Sequence, residues 1–240
     1  MTNAPGKTRT AFLLDETSSM IAHKTNTISG LREYIDTLKA GDTDIDFSLI
    51  TFSNIRTQTV VKNAPIKVVD VDAIAAAYKP QGSTPLIDAA MKTIKAMDEA
   101  AKPGERVVIV FQTDGEENCS TEFKLADLQA AIKAKSDLGW QFVFLGAGLD
   151  AYQAAAKYGI HAGQTMSYGI DALSTRSAFR GMGETTQSFA SGDTDDVSFS
   201  AEQKQAAGDI WQPQPDLPKA SSGHGTTALK PKPIVDDIVL

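Results

Sequence analysis

Three short segments of this 240-residue chain place oxygen-bearing side chains just behind apolar runs. The first, Asp15-Glu16-Thr17-Ser18-Ser19, follows residues 10–14 (TAFLL), and its alternate positions Asp15, Thr17 and Ser19 offer one carboxylate and two hydroxyls to a single centre. The second, Gly82-Ser83-Thr84-Pro85, opens a run with helical spacing from Leu86. The third, Thr113-Asp114-Gly115, comes after VVIVF. Carboxylates, hydroxyls and water are hard oxygen ligands. With no His or Cys among them, Asp15, Thr17, Ser19, Thr84 and Asp114 suit Mg²⁺, Mn²⁺ or Ca²⁺ rather than zinc or copper. Each segment alone also admits a plainer reading. Asp15, Thr17 and Ser19 are capping types, and Thr84 or Ser83 would cap a helix at Leu86 with Pro85 in its first turn.

These side chains need elements to hold them. Residues 10–14, 46–52 (DFSLITF), 105–111 (ERVVIVF) and 140–145 (WQFVFL) read as buried strands. Between them, Ile28, Leu31, Ile35 and Leu38, then Leu86, Ala90, Ile94, Met97 and Ala101, then Leu125, Leu128 and Ile132 recur in steps of three and four, each set marking one face of a helix. Residues 55–69 alternate more strongly and suit an antiparallel edge strand. Residues 150–158 read as a short helix ending at Gly159, and residues 160–168 hold one last short strand. A final long helix is expected over residues 174–189, interrupted by Gly181 and Gly183. The expected fold is therefore α/β, a central and mostly parallel sheet with one antiparallel edge strand and helices on both faces. Ligands of such sheets bind beyond the carboxyl ends of the strands, where all three segments fall.

Asp15-x-Thr17-x-Ser19, Thr84 in GSTPL and Asp114 in TDGEEN, in this order and spacing, resemble the metal-ion-dependent adhesion site of the von Willebrand factor type A domain. Thr17 stands where that motif usually has Ser, with its hydroxyl kept. The resemblance covers roughly residues 8–209, and the wording LLDETSSM, GSTPLIDA, TDGEENCS and GWQFVFLGAGLDA is similar to cytosolic bacterial and bacteriophage members. It implies a divalent cation, usually Mg²⁺, held directly by the hydroxyls of Ser19, Thr17 and often Thr84, with Asp15 and Asp114 acting through water or from behind. One coordination position stays open for an acidic residue of a partner protein. The implied activity is binding, not catalysis.

Composition narrows the alternatives. Thirty Asp and Glu against 23 Lys and Arg give a net charge of −7, so no broad cationic surface neutralises phosphates and nucleic acid is not an expected partner. No apolar run approaches a membrane span and no leader-like segment opens the chain, so a cytoplasmic location without membrane contact is expected. The single Cys119 lacks an activating base or cation. His23, His161 and His224 share no ligand spacing, and Glu16, Glu116 and Glu117 read as solvated loop residues. Gly6-Lys7-Thr8 precedes a strand instead of following one, unlike a phosphate-binding loop.

Two rival functions remain. A Mg²⁺-dependent phosphatase or phosphotransferase would use Asp15 as nucleophile, but Thr17 occupies the place of the second Asp such enzymes need, and no Lys follows Asp114 before Lys124. A scaffold would instead bind mainly through the C-terminal stretch. Residues 210–240, rich in Pro, Gly and Ser, read as a tail without a core, ending in Ile234, Val235, Ile238, Val239 and Leu240. Oligomeric state is open.

Overall fold

Six strands form one sheet in the computed structural model, which describes residues 6–211. They are β1 (Thr8–Asp15), β2 (Ile45–Phe52), β3 (Thr57–Pro65), β4 (Arg106–Thr113), β5 (Gln141–Ala147) and β6 (Thr165–Tyr168), in the spatial order β3-β2-β1-β4-β5-β6. All neighbours are parallel except β2 and β3. The continuous apolar runs are the strands buried on both faces, and the alternating run is the antiparallel edge, as the pattern of residues 55–69 predicts.

Side chains of successive strand residues go to opposite layers. From β1, Phe12 and Leu14 join Leu31, Tyr34 and Phe179 on one face, while Ala11 and Leu13 join Ile94, Phe111 and Ile132 on the other. The first layer is covered by α1 (Lys24–Ala40), α2 (Val71–Ala77), and two helices late in the chain. The second is covered by α3 (Leu86–Ala100), α4 (Leu125–Ser136) and α5 (Ala151–Tyr158). The late pair is α6 (Ala172–Ser191) and α7 (Ala201–Ala206). Full burial of one Leu or Phe contributes about 1.5–3 kcal/mol, so these two layers account for most of the driving force.

Two expectations are corrected. Gly181 and Gly183 do not interrupt the last long helix, because α6 runs unbroken for 20 residues. Gly183 instead lets α6 lie against α1: a Cβ there would stand 2.7 Å from Thr37. The second correction is an omission, since α2 and α7 were not anticipated. Both are short but carry start signals: Asp70 accepts the amides of Asp72 and Ala73, and Ser200 with Gln203 forms a capping box. From residue 212 onward, the tail expected over residues 210–240 lies outside the described residues. No helix among the described residues is long and apolar enough to cross a membrane.

The start of the sheet is clamped by charge. Arg9, with its side chain only 10% exposed, donates to Glu105 at 2.5 Å and stands 3.4 Å from Asp46, joining the openings of β1, β2 and β4. The other end of the sheet is left to the three polar loops.

Candidate metal centre

The chain passes from β1 to β2 on one side and later returns to β4 on the other, so β1 and β4 flank a switch point, the place beyond the strand ends where open sheets bind ligands. Asp15 is the last residue of β1 and Thr113 the last of β4. Asp15 has no exposed surface. One of its carboxylate oxygens accepts the Thr17 amide at 2.7 Å and the other accepts the Thr113 hydroxyl at 2.6 Å. Burial pushes its carboxyl up to about 6, against those hydrogen bonds, which lower it, and with the charge of Asp114 adding to the rise.

The hydroxyls follow from that anchor. The Thr17 and Ser19 oxygens are 3.0 Å apart, and Ser19 donates to Asp114 at 2.6 Å. Thr84 is 4% exposed, and among the described residues its hydroxyl makes no hydrogen bond. A Cβ built on Gly115 would sit 3.8 Å from the Thr84 hydroxyl and 3.9 Å from that of Ser19, so the three segments meet at one place. All five residues singled out from the sequence are brought together. His23, not singled out as a ligand, lies beside them with Nε2 3.8 Å from the second oxygen of Asp114.

The loops are tied to each other as well as to the strands. Ser18 donates its amide to the Gly82 carbonyl, and the Gly82 amide donates to the Ser18 hydroxyl. The Thr84 amide donates to the Asn118 side chain, and the Asn118 amide to the Thr84 carbonyl. Helix α3 begins without Thr84 or Ser83 as cap: the Ile87 amide donates to Glu117 and the Asp88 amide to the Ser120 hydroxyl. The capping alternative for Thr84 and Ser83 is thereby overturned, because the third loop reaches across to fill the role.

Two glutamates read as solvated are structural. Glu16 is fully buried, takes a two-pronged contact from Arg56 at 3.1 and 2.6 Å, and accepts the Lys79 amide. Glu117 accepts the amides of Ile87, Cys119 and Ser120 and the hydroxyl of Ser120. Glu116 is exposed, as expected. Nothing in the local sequence signals the long-range pairing, since Arg56 and Lys79 lie 40 and 63 positions from Glu16, and Ile87 lies 30 positions from Glu117. Cys119 fits its expected inertness. Burial and then the charges of Glu117 and Asp88 push its thiol up.

Among the described residues no three His, Cys, Asp or Glu side chains converge as a metal site. The oxygen-bearing side chains that meet here are the hydroxyls of Thr17, Ser19 and Thr84 with the carboxylates of Asp15 and Asp114. A family model of the von Willebrand factor type A domain matches residues 11–173, over half of the chain. The chain belongs to this family. Its domains are typically adhesion or protein-binding modules and usually not catalysts. No curated protein matches the sequence.

Solved structures agree on the fold of this von Willebrand factor type A chain. Proximal thread matrix protein 1 of the mussel byssus is 17% identical with a TM-score of 0.54, over 77% of this chain and 46% of that one. The pilus adhesin SpaC of Lactobacillus rhamnosus GG, in its open conformation, is 14% identical with a TM-score of 0.63, over 79% and 31%. Manganese-loaded TRAP protein of Plasmodium vivax is 13% identical with a TM-score of 0.53, over 70% of each chain. The chain thus spans less than half the length of the mussel and Lactobacillus proteins.

Proposed function

We propose that the domain is a metal-dependent protein-binding module in which Thr17, Ser19 and Thr84 hold a divalent cation, Mg²⁺ or Mn²⁺, through their hydroxyls, with Asp15 and Asp114 behind them. The observation that carries this reading is the hydroxyl geometry. Adjacent ligands of an octahedral Mg²⁺ at 2.0–2.1 Å lie about 3 Å apart, and the Thr17 and Ser19 oxygens are 3.0 Å apart. The unengaged Thr84 hydroxyl adds a third donor. A manganese-loaded relative of the same fold supports the choice of ion.

When bound, the ion supplies an electrophilic position to which a carboxylate of a partner protein adds. The chain's own residues do the rest. Asp15 holds the amide of Thr17 and so fixes the first loop, while Thr113 fixes Asp15 in turn. The ion would meet three neutral hydroxyls first, with the carboxylates of Asp15 and Asp114 behind them, which keeps affinity in reserve for an acidic partner. The pocket-like role of Asp15 as a nucleophile fits poorly: both of its oxygens are engaged and neither is exposed.

The test is calorimetric titration of the protein with Mg²⁺ and Mn²⁺, alongside Ser19→Ala and Asp114→Ala, followed by partner capture with and without EDTA. Saturable binding lost in both variants, with a captured protein released by EDTA, is the expected result. No saturable binding by the unaltered chain would sink the proposal.

A further inference from the structure

The end of the described chain leaves the domain on the same rim as the metal centre. Asp209 accepts the Ser167 amide at 3.1 Å and the Tyr152 hydroxyl at 2.5 Å, and its other oxygen accepts the Trp211 amide at 3.0 Å. Ser167 pairs with Gly146 and Gly146 with Thr113, so this anchor and the centre share one rung of the sheet. Three strand spacings, about 15 Å, separate β6 from β1.

Beside the centre lies a pocket of about 200 Å³ with an apolar wall of Ile87, Leu125, Phe144 and Tyr158, the charged Glu116, Glu117 and Lys157 in its lining, and Gly115 at its border. Gly115 also borders the Ser19 and Thr84 hydroxyls, so pocket and centre share a wall. A ligand matching both would carry a carboxylate next to branched apolar side chains. The chain holds such a segment: Pro233-Ile234-Val235-Asp236-Asp237-Ile238-Val239-Leu240. Twenty-four residues (212–235) lie between Trp211 and Asp236, and a chain of that length spans up to about 80 Å when extended. Reach is therefore no obstacle.

We infer that residues 233–240 occupy the centre of their own molecule, a carboxylate of Asp236 or Asp237 standing where a partner's would and Ile234 or Ile238 filling the adjoining pocket. The inference rests on the metal-dependent reading above, because Asp15, Asp114, Glu116 and Glu117 would otherwise repel two further aspartates. The larger groove at the opposite rim is bordered by Asp42, Asp44 and Asp193 and repels the same segment, and the Thr43 and Ser191 hydroxyls that line it are already engaged, by Gln187 and by the Ser188 carbonyl and Asp193. Tethering makes docking intramolecular, at effective concentrations on the order of millimolar. An external partner must then displace the segment, which makes the segment a built-in competitor.

The experiment is amide hydrogen exchange on the full chain in Mg²⁺ and in EDTA, with two double variants, Asp236→Asn with Asp237→Asn and Ile234→Asp with Ile238→Asp, and Mg²⁺ calorimetry on all three. Expected is several-fold slower exchange at residues 115–119 and 154–158 in Mg²⁺, independent of protein concentration and lost in both double variants, with Mg²⁺ affinity falling several-fold in the first. Equal exchange in all three chains while Mg²⁺ still binds would overturn this inference and leave the proposed function standing. Absence of Mg²⁺ binding by the unaltered chain would overturn both. Slowing that grows with protein concentration would identify a second copy as the occupant, and slowing along Thr57–Pro65 would seat the segment on the sheet edge. Either overturns the docking described here.

Discussion

Arg56 and Thr84 illustrate two kinds of residue at this centre. Arg56 is the counter-charge of the fully buried Glu16, so Arg56→Ala leaves a carboxylate in the interior with only amide contacts. The Arg56 side chain is one-third exposed, which tempers the loss. Urea unfolding should register a destabilisation of about 2–4 kcal/mol. Thr84 is the opposite case. Its hydroxyl makes no hydrogen bond among the described residues, so Thr84→Val should hold stability to within about 0.5 kcal/mol while calorimetric Mg²⁺ affinity drops. A large loss of stability with metal binding unchanged would remove Thr84 from the centre. The five centre residues were legible because each sits within a few positions of a strand or helix end. Glu16 and Glu117 were not, since Arg56, Lys79 and Ile87 come near them only in the folded chain.

Helix α6 and the third loop carry the tests at the scale of elements. A Cβ on Gly183 meets Thr37 at 2.7 Å, whereas one on Gly181 meets Gln203 at an ordinary 3.5 Å. Gly183→Ala should therefore lower stability by about 1–3 kcal/mol through overpacking, and Gly181→Ala should raise it by about 0.4–1 kcal/mol by stiffening the unfolded chain. Thermal denaturation of the two variants separates a packing glycine from a helix break, which would make both substitutions favourable. In the third loop, burial alone would raise the Asp88 carboxyl, but the amides of Thr121, Phe123 and Glu122 outweigh it and hold it below its ordinary 3.8. A carboxyl lowered in the folded state stabilises above its unfolded value and loses that contribution as pH falls through the folded one. The stability advantage of the wild type over Asp88→Asn should thus be full at neutral pH and shrink below about pH 3.8. An advantage that does not change with pH would show that charge at Asp88 is irrelevant. Hydrophobic spacing revealed the long helices and the strands because burial dictates it; α2 and α7, of seven and six residues, are too short to show a period and were visible only as caps.

For the whole molecule, metal and fold are linked. A cation that binds only the folded chain stabilises it by about 2.7 kcal/mol at a hundredfold excess over its Kd, or roughly 5–10 °C in Tm for a domain of this size. Mg²⁺ should raise the unfolding temperature of the wild type and leave Ser19→Ala unmoved. A shift of equal size in both would assign the ion elsewhere. The layered architecture and the order of the loops were readable in advance because strands alternating with helices permit few arrangements, and the switch point between β1 and β4 follows from that order.

The direction of β1 has a practical outcome. Thr8 opens the strand at one rim and Asp15 closes it at the other, a separation of about 23 Å. Anything joined ahead of Thr8, whether a neighbouring domain, a tag or a solid support, is attached at the base of the molecule, and the hydroxyl cluster points away from it. A protein immobilised through that end presents its working surface to the solution, whereas one held at Trp211 itself is gripped on the rim it is meant to display.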